Sequence, residues 1–256
     1  MMTRKMKSLP LPFAAALLAA VLGISPLALC GTEAARVRPD SALELLVEGN
    51  SRFVAGRTIR PDQGVARRAE LAKGQQPFAI VLTCADSRVA PEIYFDQGLG
   101  SIFVIRNAGA VLDDHVIGSI EYAVEHLGAG LIVVVGHSKC GAVAATVAGG
   151  HAPGHLPSIV HSIEPAVKRS AGEPGDKIDN AVRANAQLVA AELQACGPTL
   201  SEAVAHGKLK VVAARYDLAS GKVRILPTLA KAGTTAPAEH VPESHSKEAH
   251  KTAHGQ

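Results

Sequence analysis

Tryptophan is absent from this chain, and three tyrosines and five phenylalanines are its whole aromatic complement. A stacking platform for nucleic acid therefore lacks its side chains. Charge offers no substitute, because the net value is only +3 with the histidines neutral, and no basic stripe runs along any segment. Cysteine is scarce as well: Cys30, Cys84, Cys140 and Cys196 are the four among 256 residues. With Cys30 assigned to a removed leader, three remain, and an odd number is a poor disulfide framework. One Cys84–Cys140 bridge would suit an oxidising compartment, but it gives no reason for the polar residues beside both thiols. What the chain does have is apolar residues, 47% of the total, enough for a folded core of one domain or two small ones.

The first thirty residues stand apart. "MMTRKMK" carries three cations, and "SLPLPFAAALLAAVLGISPLALC" follows almost uncharged. That order is the layout of a secretory leader and predicts a signal peptide over residues 1–30, with Ala28 and Cys30 as the small residues near the cut. Lipid attachment at Cys30 is an alternative, opposed by the bulk of Leu29 just before it. An uncleaved anchor is another, opposed by Pro10, Pro12 and Pro26. The expected location is periplasmic or secreted, with no stable membrane insertion once the leader is gone.

Beyond the leader, "SALELLVEGNSRFVAG" spaces Leu43, Leu46, Val47 and Phe53 as a helix does, and Ser41 is a candidate cap. Four continuously apolar runs follow: Phe78–Thr83, Ser101–Arg106, Leu131–Gly136 and Leu209–Tyr216. Such runs fit parallel strands covered on both faces. Helical segments separate them, at Asp113–Leu127, Lys139–Ala148, Ser158–Lys168 and Asp176–Ala195. The alternation predicts an α/β fold, a mainly parallel sheet flanked by helices, closed by a hairpin with Ser220-Gly221 at its turn. Cys196, beside a Gly-Pro, reads as a packed helical cysteine. The folded domain is expected over 31–230. Residues 231–256 hold His240, His245, His250 and His254 among proline, serine and charge, too polar to offset ordering entropy, and are expected to be a disordered tail.

Two of the strand runs end on chemistry. "IVLTCADSRVAPE" stops at Cys84, Asp86 and Arg88, and "VVVGHSKCGAV" stops at His137 and Cys140. In open α/β sheets, ligands bind beyond the carboxyl ends of strands. Two thiolates and an imidazole suit zinc and leave a fourth tetrahedral position. A tight turn from Gly136 to Gly141 lets His-x-x-Cys offer both ligands to one ion. Asp86 would close that fourth position, or Arg88 would hold Asp86 as a bidentate pair and leave the metal open to water. Zinc makes hydroxide available near neutral pH.

These motifs, with "GNSRF", "IFVIRNAGA", "IEYAVEHLG" and "ARYDLASGKV", resemble the β-class carbonic anhydrases from about Leu43 to Leu226, here in an exported bacterial form. The resemblance implies zinc held by Cys84, His137 and Cys140, with Asp86 and Arg88 as a catalytic dyad. It implies a two-fold homodimer or a larger homo-oligomer, with carbon dioxide and bicarbonate as substrates. Its plant-like branch implies a substrate pocket of Gln75, Phe103 and Tyr122, and His126 as a proton relay. Tyr122 and His126 share a helix face by spacing. Two departures stand out. Val81 occupies the place of the tryptophan in the bicarbonate-gated branch, and Ala110 stands where asparagine is expected. The implied activity is zinc-dependent interconversion of carbon dioxide and bicarbonate. The alternatives are hydrolysis of carbon disulfide or carbonyl sulfide on the same fold, and a non-catalytic zinc-binding protein with Asp86 on the metal.

Overall fold

A computed structural model of the chain describes residues 36–229. The expected leader and the histidine-rich tail lie outside the described residues. The four apolar runs become parallel strands: β1 (Ala79–Cys84), β2 (Ile102–Asn107), β3 (Leu131–His137) and β4 (Lys210–Tyr216). A short β5 (Val223–Ile225) returns antiparallel to β4, and the sheet order is β2-β1-β3-β4-β5. Every residue of β1 is buried, as are the first five of β3. That burial explains why these central strands carry no alternation. Strand β2 forms one edge and is only partly covered.

The helices are α1 (Pro39–Val54), α2 (Val65–Leu71), α3 (Pro91–Tyr94), α4 (Asp114–Glu125), α5 (Gly141–Ala148), α6 (Leu156–Arg169), α7 (Lys177–Ala195) and α8 (Thr199–Ala205). Asp113 caps α4 by accepting from the Val116 amide, and Asp176 caps α7 by accepting from Ile178 and Asp179. Ser41 does not cap α1. The helix starts earlier, with Arg38 at the cap and Pro39 in the first turn, where a fixed φ and a missing N–H cost nothing. Helices α2, α3 and α8 were not expected, being too short to show a period of their own.

Two features hold this frame around the carboxyl ends of the strands. Asn50 of α1 is buried; its amide donates to the Tyr94 and Gly221 carbonyls, at 2.9 and 2.8 Å, and its oxygen accepts from the Val223 amide at 2.8 Å. One side chain of "GNSRF" thus ties α1 to α3 and to the β4–β5 hairpin. On the other side of the sheet α7 lies so close to β3 that a Cβ at Gly136 would meet Val182 Cγ1 at 2.9 Å and its carbonyl oxygen at 3.0 Å. Only glycine permits that approach, and it comes one residue before His137. Because the four parallel strands point the same way, Cys84, Asn107, His137 and Tyr216 share one edge. Cys84 is paired with Asn107, and His137 with Tyr216. Among the described residues no helix is long and apolar enough to cross a membrane.

Candidate metal centre

Cys84 ends β1, His137 ends β3, and Cys140 is the cap residue from which α5 starts. All three are buried, and their candidate ligand atoms lie within 4.8 Å of one another. The turn that permits this runs Ser138-Lys139-Cys140, with Lys139 left-handed at φ +54°. Ser138 anchors the turn to β4: its amide donates to the Tyr216 carbonyl at 3.0 Å, and its hydroxyl accepts from the Leu218 amide at 2.9 Å. Its carbonyl also lies 3.0 Å from His137 Nδ1. A carbonyl only accepts, so Nδ1 carries the proton and the neutral ring keeps its lone pair on Nε2.

That Nε2 is buried and has no hydrogen-bond partner. A buried polar atom left unpaired costs about 1–3 kcal/mol, so the position calls for a group that takes a nitrogen lone pair. The sulfurs supply the second half of the test. They lie 4.0 Å apart, close to the roughly 3.8 Å that two thiolates have on one tetrahedral zinc with bonds of about 2.3 Å. The Cys140 thiol donates to Cys84 and draws the Cys84 ionisation below the usual thiol range. The same contact, with burial behind it, pushes Cys140 upward. Two adjacent thiolates need a cation between them. A cavity of about 10 Å³ lies among these residues, room for about one small ion or water. The donor set fits zinc.

Asp86 stands beside the cluster and faces it without joining it. Arg88 grips both carboxylate oxygens, Nε to Oδ1 at 2.9 Å and Nη2 to Oδ2 at 2.6 Å, and its own amide donates to Oδ1 at 2.9 Å. Those Arg88 bonds outweigh the effect of burial and hold Asp86 well below the usual carboxylate range. Oδ2 lies 3.9 Å from His137 Nε2, too far for a hydrogen bond. Asp86 therefore flanks the cluster as an ionised carboxylate without being one of its donors.

Gln75, Phe103, Tyr122 and His126 lie elsewhere in the chain. Gln75 is exposed and precedes β1, beside a cavity of about 580 Å³ that Arg68, Lys73 and Leu99 also line. Phe103 pairs with Ile80, four residues before Cys84 and thus about 13 Å back along the strand. Helix α4 starts at the carboxyl edge and runs back, which carries Tyr122 about 13 Å from its cap. Tyr122 is 49% exposed, and its ring stands 5.2 Å from that of His126. Within one chain the two residue sets occupy opposite ends of the sheet.

A family model described as carbonic anhydrase matches residues 79–223. The chain belongs to the carbonic anhydrase family. It is 42% identical over 199 residues to a carbonic anhydrase of Mycolicibacterium smegmatis, covering 76% of this chain and 97% of that one. It is 45% identical over 188 residues to carbonic anhydrase 2 of Mycobacterium tuberculosis, covering 72% and 91%. Among solved structures it resembles a tetrameric β-carbonic anhydrase of Sordaria macrospora, with a TM-score of 0.60 at 25% identity over 72% of this chain and 96% of that one. A β-carbonic anhydrase of Coccomyxa gives 0.57 at 26% identity, over 72% and 86%. The β-class fold expected from the motifs is the one found.

Two residues at the cluster, Arg106 and Gly109, were not legible as such. Arg106, on β2, donates from Nε to the Cys84 carbonyl at 3.1 Å and from Nη2 to the Asp86 carbonyl at 2.7 Å. It clamps the loop that carries Asp86 and Arg88. Gly109 aims its amide at Cys84 Sγ from 3.4 Å. Ala110 has φ +54°, a left-handed conformation that asparagine tolerates better than alanine. That accounts for asparagine being expected there. Val81 is fully buried in the core, so the place of the gating tryptophan is filled by packing.

Proposed function

We propose that this chain catalyses the reversible hydration of carbon dioxide to bicarbonate and a proton, with zinc as its cofactor. The observation that carries the reading is the buried Cys84–His137–Cys140 cluster, whose unpartnered Nε2 sits 3.9 Å from a carboxylate pinned by arginine. Cys84 and Cys140, as thiolates, and His137, through Nε2, would hold the metal. When bound, zinc supplies a nucleophilic hydroxide from water at neutral pH.

The chain's own residues do the rest. Arg88 keeps Asp86 ionised and so able only to accept. A carboxylate in that state takes the O–H of the attacking oxygen and turns its lone pair toward carbon dioxide. Arg88 also bars Asp86 from the metal, which a storage site has no reason to prevent. Carbon dioxide and water give bicarbonate and one proton, and the proton passes to buffer, with Tyr122 and His126 as the relay that the resemblance offers.

Gln75, Phe103 and Tyr122 are assigned to substrate binding across a homo-oligomer. They stand at the opposite end of the sheet from their own cluster, and Gln75 and Tyr122 are exposed, so a second protomer is the route by which they meet a cluster. The charged-then-apolar first thirty residues support export to the periplasm or beyond. The assigned ligands are tested by metal analysis of Cys84→Ser, His137→Ala and Cys140→Ser. Each is expected to lose zinc and hydration activity together; full zinc retention in all three would move the site elsewhere.

A further inference from the structure

Helix α7 presents an apolar face to the sheet, with Ala181, Val182, Ala186 and Val189 buried. Asn185 interrupts it. The residue is 5% exposed and lines the small cavity at the metal centre together with Cys84, His137 and Cys140. An apolar residue would satisfy packing there without desolvating an amide, so the asparagine needs another reason. Its Nδ2 donates to the Gly109 carbonyl at 2.9 Å in a bond buried from solvent. Gly109 in turn aims its own amide at Cys84 Sγ.

Gly109 cannot hold that aim alone. It sits at φ +84°, and glycine has more torsional freedom than any other residue. A side chain is no remedy, since a Cβ at Gly109 would meet Ile163 Cδ1 at 2.7 Å. The base of the loop is fixed by Asn107, which exchanges two hydrogen bonds with the Val111 backbone, at 2.8 and 2.9 Å. Asn185 fixes the residue whose N–H faces the sulfur.

We infer that Asn185 is a positioning residue for the metal centre, acting through Gly109 to deliver a hydrogen bond to the Cys84 thiolate. An N–H on a thiolate stabilises its negative charge and lowers the energy of its lone pairs, and so helps hold the sulfur as a charged ligand. Outer partners of this kind are worth about 10–100-fold in metal affinity or activity. The inference rests on Cys84 being a metal ligand.

The test uses cobalt-substituted full-length protein, with wild type compared to Asn185→Leu, or to Asn185→Ala if the leucine is not tolerated. Val182→Ala serves as the packing control, since Val182 lines the same cavity and makes no such bond. The expected result is a thiolate-to-cobalt absorption band moved to longer wavelength in the Asn185 variant, with zinc loss to a chelator accelerated about tenfold or more. Val182→Ala should lower the melting temperature and leave the band in place. An unmoved band in the Asn185 variant, or an equal shift in Val182→Ala, overturns the inference. Absence of any thiolate band in wild type would instead fail the ligand assignment itself.

Discussion

Arg88 and Asp86 are two residues apart and joined by three hydrogen bonds, two from the guanidinium and one from the Arg88 amide. In the proposed reaction the pair locks the fourth direction of the metal cluster. Removing the arginine frees a carboxylate whose nearer oxygen already stands 3.9 Å from His137 Nε2. Arg88→Ala and Asp86→Asn are both expected to keep zinc and to lose about a hundredfold or more in turnover, the scale of a displaced proton acceptor. Stopped-flow hydration with metal analysis on the same samples checks this. Turnover like wild type in Arg88→Ala would remove the lock from the mechanism.

Arg106 acts on the same loop from the neighbouring strand. Its two bonds reach carbonyls on either side of Ala85, and bonds from a charged donor are worth about 1.5–3 kcal/mol each. Arg106 is exposed on the edge strand, so its loss should disturb the loop more than the fold. Arg106→Ala is expected to lower turnover roughly tenfold, equivalent to about 1.4 kcal/mol in the barrier, with zinc content unchanged. A melting temperature that falls while turnover holds would make Arg106 a structural residue only.

How much of this was readable beforehand follows burial and length. Strands β1 and β3 were legible because both faces are covered, and their apolar runs stop where chemistry begins, at Cys84 and His137. Cys-x-Asp-x-Arg and His-x-x-Cys at those strand ends then marked Asp86, Arg88 and Cys140. Asn185 was not legible, because one amide in a long helix looks like any surface asparagine until the helix is docked. Gly109 was hidden for another reason: its contribution is a backbone N–H, which no residue letter encodes. Ser41 misled because its hydroxyl suits a cap, while the proline two residues earlier had already started the helix. The separation of Gln75 from Cys84 is a property of three-dimensional placement, and motif register cannot express it.

Acid stability should depend on the β4–β5 turn. Asp217 accepts from the Ser220 amide and hydroxyl, at 2.9 and 2.8 Å, and from Arg215 at 3.1 Å. Those bonds, the Ser220 amide foremost, lower its pKa to about 2. A carboxyl depressed in the folded state contributes stability above its unfolded value, near 3.9, and that stability is lost as pH falls toward 2. Asp217→Asn is therefore expected to cost about 1 kcal/mol at neutral pH and to flatten the loss between about pH 4 and pH 2. Urea unfolding across that range is the measurement. An unchanged pH slope would place the acid sensitivity elsewhere.

The assignment of Gln75 across a homo-oligomer predicts complementation. Cys84→Ser lacks a metal site yet keeps Gln75; Gln75→Ala keeps the metal site. If the glutamine serves its partner's cluster, co-assembled protomers of the two variants should exceed the mean of the two parent activities. If Gln75 acts within its own chain or not at all, the mixture will equal that mean.

The central claim is that this chain hydrates carbon dioxide with zinc held by the Cys84–His137–Cys140 cluster. The most direct measurement is stopped-flow carbon dioxide hydration on full-length protein as purified, after zinc removal by chelator, and during titration back with zinc. The account predicts that activity disappears with the metal and returns linearly to a plateau at about one zinc per chain, the stoichiometry of a single tetrahedral three-ligand site. Cys140→Ser should gain nothing over the same titration. Undiminished hydration in zinc-free protein, or full recovery by Cys140→Ser at the same stoichiometry, would contradict it.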